Sequence, residues 1–147
     1  MEYLNVREVE FVAHELARQM MGGSEPIPPF ASRFSDRLES CLSTPKQTYD
    51  KKELYPTLLD KASILFYLMI KSHPFKNGNK RVAIMTLIYF LYKNKKWLHM
   101  PDMVLYQFAK NVAGGDARKK EDEVASIKAF LKPHIVDYHY TLVRTRT

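Results

Sequence analysis

A single cysteine, no apolar stretch long enough for a bilayer and no repeat: these shortages narrow the chain before any motif is read. Cys41 alone provides neither a disulfide framework nor a thiolate metal cluster. In "LESCLS" it falls at helical spacing, where a small buried residue is expected rather than a nucleophile. The longest apolar run, "ASILFYLMI" at 62–70, is far too short for a membrane span and reads as a buried helix. The opening "MEYLNVREVEF" has no basic region followed by an apolar block, so no secretory signal is expected and a cytoplasmic setting is. No heptad or low-complexity segment stands out. No helix clusters base-reading side chains, so direct contact with nucleic acid is not expected.

What remains is ordinary in composition and basic in charge. At 147 residues the chain is expected to form one domain over 1–147, long enough to close a core without staples. Apolar residues make up 46% and charged residues 27%, which argues against disorder. A net charge of +7 favours anionic partners without choosing among nucleotides, nucleic acid and acidic proteins.

Periodicity predicts helices along the whole chain. Val6, Val9, Ala13, Leu16 and Met20 form one stripe, with Asn5 as N-cap and Gly22-Gly23 as the stop. The proline-rich "SEPIPPFAS" follows, then a shorter helix over about 31–43 with Phe34, Leu38 and Leu42 on one face, ended by Pro45. "PKQTYDKKELYP" is a polar segment longer than most loops in compact domains, a length associated with function or mobility. Pro56 suits the first turn of a helix that runs to about His73 and is apolar on most faces. Further helices are expected over Asn79 to Lys93, from Pro101 to Gly114-Gly115, and over about 119–132. The fold class is therefore all-α, a single-domain helical bundle.

The two most apolar helices meet at "HPFKNGNKR", residues 73–81, and this loop breaks a local rule. Lys80 and Arg81 stand at the start of a helix, where the macrodipole is already positive and each cation costs ~0.3–1 kcal/mol. An anion among them would remove the conflict. His73 precedes a proline, which biases it away from helical dihedrals and sets its imidazole at the loop mouth. Gly78 permits a cramped or left-handed backbone, Asn79 is a good N-cap, and the next amides then point outward together. A phosphate is the natural occupant. A neutral His73 can accept the proton of an attacking hydroxyl while Arg81 and the amides hold developing charge. Asn77 offers an oxygen to a magnesium ion bridging phosphates. The other histidines carry less: His14 lies in no zinc-protease motif, and His134 and His139 read as exposed tail residues. Trp97, Tyr89 and Tyr92 read as packing, and "VRTRT" as a loose basic end.

The stretch "HPFKNGNKR" resembles the signature of the Fic/Doc superfamily, H-x-F-x-[D/E/N]-[G/A]-N-[G/K]-R, and the segments at 37–72 and 83–98 resemble those that flank it in death-on-curing (Doc) toxins. That resemblance implies a helical bundle with a short flap near the active-site loop. It makes His73 the catalytic base and Phe75 the loop's buried anchor. Gly78, Asn79, Lys80 and Arg81 become the phosphate site, with Arg81 also catalytic. The segment 45–55 becomes the flap, on which Lys46, Gln47, Thr48 and Tyr49 line up a target peptide. ATP is the implied substrate and Mg2+ its companion, with Asn77 as the metal's side-chain candidate. The implied partners are an antitoxin that covers the site and a protein target such as elongation factor Tu, with nucleic acid reached only through the antitoxin.

Several positions depart from the AMP-transferring pattern. Lys80 stands where those enzymes carry glycine, as it does in Doc, and Ile84 where a second arginine can follow. Both favour a kinase that passes the γ-phosphate of ATP to a threonine or serine hydroxyl. AMP transfer on the same fold is the alternative, and a catalytically silent binding protein a second one. Asn77 replaces the usual acidic residue and weakens the pull on a hard cation. "SDRLES" misses the self-inhibitory pattern at its last residue, Ser40, and is expected to be a plain helix.

Overall fold

The computed structural model describes residues 1–20 and 26–138. The Gly22-Gly23 stop, His139 and the basic C-terminus lie outside the described residues.

The first helix is one rod with a defect inside it. α1 (Val6–Glu8) runs into a π-helical stretch, Val9–His14, and on into α2 (Glu15–Met20). Asn5 caps it as expected: its side chain accepts from the Glu8 amide and Glu8 returns to the Asn5 amide. Val9, Ala13 and Ala17 are fully buried. Short π turns inside helices often sit at functional sites.

α3 (Ser35–Ser43) begins later than the predicted helix over 31–43. Phe30–Ser32 makes a separate 3-10 turn and Arg33 and Phe34 are extended, because the Phe34 amide donates to Pro74 O at 2.8 Å. Phe34 is therefore largely exposed under the Arg37 guanidinium, and only Leu38, Cys41 and Leu42 reach the core. Pro45 falls in a further 3-10 turn, Thr44–Lys46.

The long polar segment is an ordered hairpin. β1 (Thr48–Tyr49) pairs antiparallel with β2 (Lys52–Glu53), Thr48 opposite Glu53 and Tyr49 opposite Lys52. Asp50 and Lys51 between them both have positive φ, 51° and 66°, as a tight two-residue turn requires.

α4 (Leu58–Lys71) and α5 (Asn79–Lys93) are the central pair, packed on each other. Pro56 stays outside α4. Thr57 is the N-cap, in a reciprocal box with Asp60. α5 also lies on the π stretch and on α6 (Asp102–Ala113), while α7 (Lys120–Leu131) closes over α4. One feature was missed: β3 (Lys96–Leu98) pairs antiparallel with β4 (Ile135–Asp137), tying α5's exit to the chain beyond α7. Three-residue strands show too little alternation to be read from sequence. The fold is thus mainly helical, with two small ribbons among the described residues. No described helix is long and apolar enough to cross a membrane.

Candidate active site

The loop between α4 and α5 is built from both ends. α4 ends at Lys71 with Ser72 as its C-cap, and the next residue, His73, has φ +49°, a left-handed conformation that is unusual for a non-glycine residue. Two contacts from the start of α3 hold this turn. Arg37 Nη1 donates to His73 O at 3.2 Å, beside the Phe34–Pro74 backbone bond. The imidazole itself is left exposed.

Phe75 turns into the core as expected, and its companions are a finding. Its ring lies 5.3 Å from the His14 ring and 5.8 Å from Phe30. His14 is buried within the π stretch, where Nε2–H donates to Pro28 O at 3.1 Å. A carbonyl only accepts, so the proton sits on Nε2. Burial, aided by the Arg18 charge, holds the imidazole's pKa below the ordinary histidine value, against the opposing hydrogen bond to Pro28 and the nearby Glu15 and Glu10. A neutral His14 therefore wedges the proline-rich connection against Phe75. Sequence reasoning passed it over because no motif contains it. Its spacing from Val9 and Ala13 was the available signal.

Gly78 is required twice over. Its φ is +77°, and a Cβ there would lie 2.7 Å from Ile27 Cγ1. Gly78, not Asn79, is the N-cap of α5. The Asn79 side chain instead clamps the loop, with Oδ1 accepting from the Phe75 amide at 2.9 Å and Nδ2 donating to Phe75 O at 2.8 Å. Val82 N–H donates to Gly78 O, so the amides of Asn79, Lys80 and Arg81 make up the first turn of α5, ahead of the helix's own ladder. Lys80 and Arg81 are half-buried there, and Ile84 is in the core.

Asn77 Oδ1 accepts the Gly78 amide at 2.8 Å, so this oxygen is already engaged within the loop. Among the described residues no three His, Cys, Asp or Glu side chains gather as a metal site. This donor set does not make a resident magnesium site. An ion here would arrive on nucleotide phosphates, and Asn77 would lend it at most one oxygen.

The hairpin residues Lys46, Gln47, Thr48 and Tyr49 are rooted elsewhere. Pro45 O accepts from Lys61 Nζ near the start of α4, about 15 Å at 1.5 Å per residue from Lys71 at the end that leads into His73. Tyr49 is 77% exposed. Cys41 is buried, and burial raises its thiol pKa to about 11, so it carries no chemistry.

An exposed histidine on a braced turn thus stands one loop ahead of a helix start that carries two cations, in a mainly helical domain. The chain belongs to the Fic/DOC family, whose model matches residues 4–91, more than half of the chain. Enzymes of this family use ATP and generally transfer nucleotide-derived groups to proteins. No curated protein and no solved structure matches the chain.

Proposed function

We propose that this Fic/DOC domain is a Doc-like protein kinase that passes the γ-phosphate of ATP to a serine or threonine hydroxyl of a target such as elongation factor Tu, and that it acts as the toxin of a toxin–antitoxin pair. The observation that carries this reading is Lys80, half-buried in the first turn of α5 with Ile84 in the core one turn on. A lysine there fills the space a glycine would leave for an α-phosphate and adds a charge suited to a terminal phosphate.

His73 takes the hydroxyl proton as the oxygen attacks the γ-phosphorus. The bond between that phosphorus and the β–γ bridging oxygen breaks, and ADP leaves with the bond's electron pair. Arg81 and the amides of residues 79–81 hold the charge that grows on the transferred group. Asn79 and Phe75 keep these parts in register. An antitoxin segment covering the loop would silence the enzyme, and blocked translation would be the result of its release.

The test is ATP labelled at the γ or the α phosphate, incubated with the chain, Mg2+ and elongation factor Tu, with a bacterial lysate in parallel. Label from γ alone establishes the kinase. Label from α makes the chain an AMP transferase and overturns the Lys80 argument. No label from either, with His73→Ala still toxic in cells, makes it a binding protein.

A further inference from the structure

Lys61 is only 1% exposed, an uncommon place for an ammonium. Each of its three N–H groups has an acceptor: Pro45 O at 3.2 Å, Glu53 Oε1 at 2.9 Å and Tyr55 O at 2.5 Å. Pro45 enters the polar segment, Glu53 is on β2 and Tyr55 leaves it, so one nitrogen joins entry to exit. The Tyr3 ring lies 5.6 Å from the same Nζ and 5.5 Å from Lys46 Nζ. Above this point the hairpin has little of its own. Thr48, Tyr49, Lys52 and Glu53 are all exposed, and the backbone bond from Leu54 N–H to Gln47 O is the last rung before the root. An ammonium is costly to take out of water, and methionine would fill the same volume without that cost. Bulk stability does not account for a charge here, whereas the need to fix three acceptors relative to one another does.

We infer that Lys61 is a positioning residue: its ammonium clips the two ends of the 45–55 segment together and so fixes the open edge that the hairpin offers to an acceptor polypeptide. The acceptor clause rests on the proposed transferase reading. The clip itself does not. Loss of the clip frees the hairpin about its root while leaving the helices packed, because Pro45, Glu53 and Tyr55 lie outside α4.

The experiment compares Lys61→Met with the unaltered full chain by amide hydrogen exchange and by transfer kinetics. The Leu54 amide is expected to exchange about tenfold faster or more, with the Met69 amide in mid-core α4 unchanged. KM for the acceptor rises severalfold while KM for ATP holds. Equal acceleration at Leu54 and Met69 would reveal a general structural role and overturn the inference, as would an unchanged Leu54. A loosened hairpin with an unchanged acceptor KM overturns it too. Should Lys61→Met fail to fold, Glu53→Ala decides by the same exchange pattern, since Glu53 is half-exposed, and Glu53→Gln, which keeps an acceptor oxygen, should restore slow exchange. If the unaltered chain transfers nothing, the proposed function falls and exchange alone decides whether the clip exists.

Discussion

His73 and His14 divide the work of two histidines by environment. His73 is exposed at a braced turn, so His73→Ala is expected to cut transfer by about 10²–10⁴-fold with thermal unfolding unchanged. A comparable loss of melting temperature would show that the residue is structural. His14 is buried with its pKa lowered, so as pH falls the unfolded chain takes up the proton first. The His14 contribution to stability is whole above about pH 6.5 and fades as pH drops below it. Urea titrations from pH 7.5 to pH 5 should show this slope, flattened in His14→Gln. Gly78 is the third decisive residue. Gly78→Ala forces a Cβ into Ile27 at a positive φ and should cost about 1–3 kcal/mol, read by denaturant midpoint.

The elements show what kind of signal a sequence carries. Asn79→Ala should lower stability by about 1–3 kcal/mol through the two lost bonds to Phe75, and should slow transfer as well. Asn79→Asp keeps the acceptor and loses the donor, so an intermediate loss is expected. An Asn79→Ala chain as stable as the parent would leave the clamp without weight. The sequence reading had Asn79 as a helix cap, because cap residues are recognised by type and position, while a clamp across the loop needs the loop's shape. α4 and α5 were legible from their apolar content, and the loop between them from residues that contradict a helix start. From its own residues the hairpin reads only as a polar gap, since Asp50-Lys51 lacks the glycine that usually marks such a turn, and it is the family resemblance that makes it a flap. β3 and β4 were not legible at all, for their pairing joins residues nearly forty positions apart. Arg37 and Lys61 were hidden for a related reason: each is defined by backbone carbonyls, which no residue letter records.

At the scale of the molecule, the β3–β4 ribbon and the N-terminal segment close the bundle around α5. Trp97 is the single tryptophan and sits on the ribbon beside Tyr138, while the helices dominate far-UV dichroism. Unfolding followed by Trp97 fluorescence and by dichroism should coincide, and a fluorescence change at lower urea would mark the ribbon as a separate unit. At the same C-terminal end of α5, Lys93 Nζ holds Glu8 Oε2 at 2.5 Å and Tyr3 O at 3.0 Å, and Asn94 exchanges two bonds with the backbone of Glu2. These ties give the π stretch at Val9–His14 an indel consequence. An α-helix advances about 100° per residue and the wider π turn takes up about one residue more, so deleting one residue from the stretch would wind it into plain α-helix with Glu8 still facing Lys93. The helix is keyed at both ends, by His14 on the loop and Glu8 on α5, so a residue added between them would turn one key away from its partner by roughly 100°. In a scan of single deletions and insertions, positions 9–14 should tolerate one deletion at an exposed position and no insertion, read by melting temperature.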